Sequence, residues 1–141
     1  MHLPVIRVTC AVIVHRERIF AAQRGPHAHQ PLKWEFPGGK VEPGESDEAC
    51  LLRELSEELQ MMVTIIKRLP VFRHQYPDFI IELIPFICRP DHTGHKLQEH
   101  EEAGWFPCRQ LRKLHWADAD VALMEYVADL FCKGESSLLN P

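Results

Sequence analysis

The sequence predicts one mixed α/β domain, and three observations carry that reading. Short apolar, β-branched runs recur in "IRVTCAVIVH", "RIFAAQR" and "FIIELIPFICR", the pattern of strands. Two other segments, "SDEACLLRELSEEL" and "ADADVALMEYVADLFCK", repeat their apolar residues at three- and four-residue steps, the pattern of amphipathic helices. Both kinds interleave along 141 residues with no repeat and no linker, a length that suits one core. Residues 1–133 are expected to form that domain, and 134–141, "GESSLLNP", to fray.

Each element has a local reason. The charged "RER" between the first two β-rich runs predicts a hairpin. Gly25, Pro26 and Pro31 make "GPHAHQP" a loop, after which "KWEF" reads as a short strand and "PGGK" as a turn. Ser46 is suited to cap the first helix, with Asp47 and Glu48 placed favourably in its first turn. Its inner stripe is expected to be Ala49, Leu52, Leu55 and Leu59. "MMVTIIKRLPVFRHQY" and "FIIELIPFICR" predict a pair of long strands joined around "PD". A polar loop, "PDHTGHKLQEHEEAG", follows, and "WFP" resumes apolar structure. The second helix is expected to turn Val121, Met124, Val127, Ala128 and Phe131 inward.

Bulk chemistry excludes several functions. A net charge of −4 argues against general affinity for nucleic-acid polymers or anionic membranes. The five cysteines, Cys10, Cys50, Cys88, Cys108 and Cys132, are odd in number and form no CxxC pair. That argues against a disulfide framework or zinc knuckle and for a reducing compartment. "MHLPVIRVTCAVIV" reads as a strand and not as a signal peptide, and no run nears the roughly 20 apolar residues of a membrane helix. A cytoplasmic protein is expected. His92 and His95 in "DHTGH" lack the third ligand that a zinc site needs.

The chemistry concentrates in "RELSEE". On a helix, Glu57 and Glu58 lie roughly 60° and 40° to either side of Glu54, so three carboxylates share one sector. Such a sector suits a hard divalent cation, which would offset the repulsion between like charges. A merely solvated acidic face would look the same on charge alone. The flanking residues separate these readings, because the segment fits Gly-x5-Glu-x7-Arg-Glu-apolar-x-Glu-Glu at Gly39, Glu45, Arg53, Glu54, Leu55, Glu57 and Glu58. This resembles the Nudix box, the loop–helix–loop signature of the Nudix hydrolases. One position departs: Gln60 stands where the family has a helix-ending glycine, which a non-Gly residue can replace at a cost of roughly 1 kcal/mol.

The resemblance extends over most of residues 5–130. "WEFPGGKVEPGE" is similar to the MutT-like branch, and "LQEHEEAGW" and "WADADVALM" to the CTP pyrophosphohydrolases within it. It implies the Nudix fold, an α/β/α sandwich around a mixed sheet. It implies an enzyme that converts a nucleoside triphosphate and water to a monophosphate and pyrophosphate, using Mg²⁺ or Mn²⁺, as a monomer or homodimer. Carried onto these residues, Glu54, Glu57, Glu58 and the Gly39 carbonyl are metal ligands, and Arg53 faces Glu45 to hold the helix start. Glu99 is a further ligand or the general base, a role for which Glu54 competes. Arg24, His29 and Lys40 are candidates for the phosphates. Phe36, Tyr76 and Phe79 border the base or belong to the core, and Phe79 stands where MutT has an arginine. Asp118 matches the asparagine by which MutT reads 8-oxoguanine. An ionised aspartate only accepts hydrogen bonds, which favours cytosine N4 over the O6 of 8-oxoguanine. Asp118 is equally suited to cap the second helix. A (d)CTP-preferring enzyme, an 8-oxo-dGTP diphosphatase and a non-catalytic nucleotide-binding module are the readings that follow.

Overall fold

A computed structural model describes residues 2–132. In chain order its elements are β1 (Val5–His15), β2 (Arg18–Gln23), β3 (Trp34–Glu35), β4 (Gly38–Lys40), α1 (Asp47–Leu59), β5 (Val63–Arg68), β6 (Phe72–Gln75), β7 (Ile80–Pro90), β8 (Glu102–Pro107) and α2 (Val121–Cys132). Two 3-10 turns, Cys108–Lys113 and Asp118–Asp120, lead into α2.

Strand β1 is the axis of the molecule. Its residues Thr9–Val14 are buried on both faces, as a strand covered by helices on each side requires. Its first nine residues pair in parallel with Ile80–Cys88 of β7, while β4 lies antiparallel along Val8–Cys10 on the other side. At its end β1 turns into β2, with Val14 opposite Ile19. Arg16 and Glu17 take positive φ, 48° and 64°, the conformation of a tight hairpin turn. The β2 strand then pairs with β3 and β8, and β7 with β5 and β6, all antiparallel.

Side-chain alternation assigns the two faces of this mixed sheet. Ala11, Ile13, Phe20 and Ala22 pack on Leu51, Leu55 and Leu59 of α1. Cys10, Val12, Val14 and Ile19 pack on Leu123, Val127 and Phe131 of α2. One helix on each face makes the α/β/α sandwich that the resemblance implies.

Several expectations need correction. "PGGK" is not only a turn: Gly38–Lys40 is a strand, because Gly38 lies so close to the Thr9 carbonyl that a Cβ could not fit. The expected long strand after α1 is two, β5 and β6, interrupted around Pro70. The buried residues of α1 are Cys50, Leu51, Leu55 and Leu59, whereas Leu52 is 43% exposed. In α2, Met124, Val127, Ala128 and Phe131 are buried as expected and Leu123 joins them, whereas Val121, the first residue of the helix, is exposed. Cys108 and Cys132 form a disulfide, against the cysteine reading; α2 returns along the 108–113 turn and brings their Cα atoms to 5.8 Å. Cys10, Cys50 and Cys88 are free and buried. The expected fraying of 134–141 lies outside the described residues.

The exit of α1 bears out the expectation for Gln60. It adopts φ 51° and ψ 40°, the left-handed conformation, and donates its N–H to Ser56 O at 3.1 Å. Gln60→Gly is expected to raise the free energy of unfolding by about 0.5–1 kcal/mol, since the strain relieved exceeds the added freedom of the unfolded chain. Equilibrium urea unfolding reads this directly; a loss of stability would mean that the Gln60 side chain contributes more than its backbone costs.

Candidate active site

A cavity of about 690 Å³ opens where β3, β4 and the start of α2 meet the acidic end of α1. Its construction begins at the entry of α1. Ser46 Oγ accepts the Ala49 N–H at 3.1 Å, fixing the first turn. Arg53 then gathers the surrounding acids: it donates to Glu45 at 2.6 and 3.0 Å, to Glu54 at 3.0 Å and to Glu57 at 3.2 Å. The guanidinium holds the Glu45 carboxyl down to about 2, so that acid stays ionised. Glu45 also accepts the Glu42 N–H at 3.0 Å, which folds the loop back on itself.

Glu54 lies against the backbone of Gly39, and any Cβ there would collide with its carboxyl. Behind Gly39, its carbonyl accepts from Thr9 Oγ1 at 3.4 Å and Cys50 Sγ at 3.5 Å. Glu58 projects within roughly 20° of Leu51, on the buried side of α1, while Glu57 points away from it. Burial therefore pushes the Glu58 carboxyl up to about 8, and Glu54, Glu35 and Glu99 add to the effect.

The predicted residues divide accordingly. Gly39, Glu54, Glu58, Glu99, Arg24, His29, Lys40, Phe36, Tyr76 and Phe79 all line the cavity. Arg53, Glu45 and Glu57 stand behind or beside it. Among the described residues, no three histidine, cysteine or acidic side chains stand in a single metal-binding cluster, since Glu54 and Glu57 both turn to Arg53. The donor set still fits a hard cation: Glu54, Glu58 and Glu99 share the wall, and Glu58 is pushed up by burial first and then by the acids around it, a repulsion that a cation relieves.

His29 lines the cavity, and its ring has an aromatic role as well. Its ring packs edge-on to Tyr76 at 4.8 Å and beside Phe79 at 5.5 Å, extending the aromatic wall. Phe36 stacks on Trp116 at 4.7 Å and is part of the core as well as of the cavity. Tyr76 also accepts the Ala119 N–H on its hydroxyl at 3.0 Å.

Asp118 is the clear correction. Its side chain is 47% exposed, pairs with Lys33 at 3.4 Å and does not line the cavity. It makes no capping hydrogen bond either. In a 3-10 turn each residue advances by about 120°, so a residue two places on points to a different side. That residue is Asp120, buried in the cavity wall and accepting the Phe36 N–H at 2.9 Å. Burial and the nearby Glu35 push its carboxyl up to about 8. The repeated "ADAD" supplies two candidate aspartates, and only the turn geometry chooses between them.

Two other lining residues escaped the sequence reading. Glu35, quoted only as part of a strand, accepts from Arg24 at 2.5 Å on one oxygen and meets His100 Nε2 at 2.8 Å on the other. His100 is almost wholly buried, and its Nδ1 has no partner. An Nε2–H donor is the tautomer that the carboxylate selects, which leaves Nδ1 a bare lone pair.

The NUDIX domain model matches residues 5–126. The chain belongs to the Nudix family. It is 32% identical to the CTP pyrophosphohydrolase of Escherichia coli over 123 residues, 87% of this chain and 91% of the relative. It is 40% identical to an 8-oxo-dGTP diphosphatase of Proteus vulgaris over 83 residues, 58% and 74% of the two chains. Among solved structures it superimposes on the E. coli ORF135 protein with a TM-score of 0.79 at 30% identity, covering 94% of each chain. A MutT protein from Methanosarcina mazei has the same fold, with a TM-score of 0.81 at 22% identity over 92% of this chain and 96% of that one. The protein is a Nudix pyrophosphohydrolase that acts on nucleotides. Nudix hydrolases generally use divalent metals. No described helix is long and apolar enough to cross a membrane.

The buried Asp120 makes stability depend on pH. Its carboxyl titrates near 8 in the fold and near 4 in an unfolded chain, so the folded state binds the proton more tightly. Its contribution is whole below about 4 and is lost as pH rises through about 8. In EDTA, Tm is expected to fall from pH 5 to pH 8.5 less steeply in Asp120→Asn than in the wild type. Equal slopes would show that Asp120 does not titrate in that window.

Proposed function

We propose that the protein is a Mg²⁺-dependent nucleoside triphosphate pyrophosphohydrolase with a preference for cytosine nucleotides, serving nucleotide-pool sanitation. The observation that supports this most is the Glu54 carboxyl fitted against Gly39, beside Glu58 and Glu99 at one cavity wall. Glu54, Glu58 and Glu99 share the cavity wall and would hold the metal; Glu57 would join them on releasing Arg53, and the Gly39 carbonyl on releasing Thr9 and Cys50. When bound, it supplies Lewis-acid activation at phosphorus and neutralises phosphate charge.

The remaining work falls to the chain itself. Arg24 uses one N–H on the His29 carbonyl and one on Glu35, which leaves three donors for phosphate oxygens. Lys40 at the cavity rim adds a second cation. Arg53 holds Glu54 and Glu45 in register, a positioning role. Glu54 is pinned by Arg53 and by Gly39, whereas Glu99 makes no ion pair among the described residues. Glu99 is therefore our choice for accepting the proton of the attacking water.

Asp120 replaces Asp118 as the residue that reads the base. Phe36 N–H occupies one carboxyl oxygen and leaves the other for the ligand, with Tyr76, Phe79 and His29 as an aromatic border. A bound cytosine N4 amine donates to the free Asp120 oxygen and so favours the ionised form that burial alone disfavours. The same aspartate supports a second reading, an 8-oxo-dGTP diphosphatase. Burial keeps it protonated near neutral pH, and a protonated carboxyl donates as well as accepts.

Steady-state hydrolysis with Mg²⁺ across CTP, dCTP, dGTP, 8-oxo-dGTP, ADP-ribose and a dinucleoside tetraphosphate tests both. Cytosine nucleotides should lead and release pyrophosphate; 8-oxo-dGTP in the lead would favour the second reading. Asp120→Asn is expected to move the ranking away from cytosine, and an unchanged ranking would remove Asp120 from base recognition. Glu57→Gln should lose most turnover, roughly 100-fold or more, with Tm preserved. Its side chain is 60% exposed and meets only Arg53, so full activity in that variant would overturn the ligand assignment.

A further inference from the structure

We propose that Glu35 is a positioning residue that braces the two loops framing the cavity, setting the phosphate-facing arginine and Glu99 in register with each other. The inference rests on the pyrophosphohydrolase reading of this cavity.

Glu35 sits in the two-residue strand β3, and its side chain is 15% exposed. Both of its oxygens are used by donors from distant parts of the chain. Arg24, just after β2, donates to Oε1, and the same guanidinium reaches the His29 carbonyl in the following loop. His100 meets Oε2, and the preceding residue is Glu99. The two loops also touch directly, since a Cβ on Gly25 would lie 3.1 Å from the Glu99 carbonyl oxygen. One carboxylate thus links the loop after Arg24 to the loop that carries Glu99.

An acid at this point is electrostatically unfavourable by itself. Glu35 stands among the causes that push up both Glu58 and Asp120, on opposite sides of the cavity. A neutral glutamine would remove that repulsion but could not do the same work. Both partners of Glu35 donate, and a carboxylate accepts on each oxygen. A glutamine has one acceptor oxygen, so its amide N–H₂ would face His100 Nε2, which can accept only by moving its proton to the buried, unpartnered Nδ1, and that leaves an N–H unsatisfied.

The test is kinetic. Glu35→Gln keeps the size of the side chain and the strand, and its Tm is measured first. One link is impaired and the other loses its charged acceptor, so KM for CTP is expected to rise and kcat to fall, together lowering kcat/KM about tenfold. Adding Glu35→Gln to Arg24→Ala should raise KM no further, and adding it to His100→Ala should lower kcat no further, because each pair acts through one link. Glu35→Asp, which retains both acceptors, should recover part of the loss. A folded Glu35→Gln enzyme with both constants within twofold of wild type would overturn the proposal, and so would fully additive double variants. If the wild type turns over nothing in the substrate panel, the functional reading fails on its own. Calorimetric titration with the α,β-imido analogue of CTP then decides Glu35 separately: weaker binding by Glu35→Gln supports the brace, and unchanged binding sinks it.

Discussion

Too many carboxylates meet in one enclosed place, and much of the structure is organised around that constraint. Glu35, Glu54, Glu58, Glu99 and Asp120 line a single cavity. Crowded like charges in a partly dehydrated site shift one another upward, as Glu58 and Asp120 both record. Arg53 answers on one side by taking Glu45, Glu54 and Glu57 together, and Arg24 answers on the other by taking Glu35. The loop before α1, the close approach at Gly39 and the short strands β3 and β4 are the means by which those cations reach their places. Without the arginines the acids would be a destabilising patch; with them they form a wall held under electrostatic tension.

The sheet supplies the rigidity that such a wall needs. β4 can press against β1 because Gly38 has no side chain, and that closeness puts Gly39 under Glu54. Two buried helix faces hold β1 from either side, so the register of β4 cannot drift without disturbing both. Asp120 and the Phe36 N–H then tie the turn before α2 to the segment following β3, joining two walls of the cavity.

Much of this was legible in the amino-acid sequence, for local reasons. The Ser46 cap, the three- and four-residue periodicity of α1 and the charged hairpin turn act within a few residues, and all three stand in the structure. The spacing of Gly39, Glu45, Arg53 and Glu54 was legible too, because one helix turn and one loop decide it. What escaped is decided across the fold. Glu58 falls on the buried side of α1 only because the true inward stripe is Leu51, Leu55 and Leu59, a phase that flanking leucines blur. Asp118 and Asp120 are interchangeable until a 3-10 turn points them apart. The Glu35–His100 contact spans 65 residues and depends on β2 holding β3 and β8 together, which no periodicity announces. The Cys108–Cys132 bond is of the same kind, made by a helix folding back on a turn.

The parallel pairing of β1 with β7 also imposes an order of events on the newborn chain. Residues 5–13 find their partners only in residues 80–88, so the central ladder cannot close until most of the protein has been synthesised. Before then the β1–β2 hairpin and the capped α1 are the elements that can form from neighbours alone. Their apolar faces, Ile13 and Phe20 on one and Leu51, Leu55 and Leu59 on the other, share one core cluster with Ile84 and Phe86 of β7. Such distant pairing slows folding, because the entropy of closing a long loop is spent before the ladder returns any of it. The cavity wall draws on residues from Arg24 to Asp120, so the reaction centre is complete only once that ladder and the turn before α2 are in place.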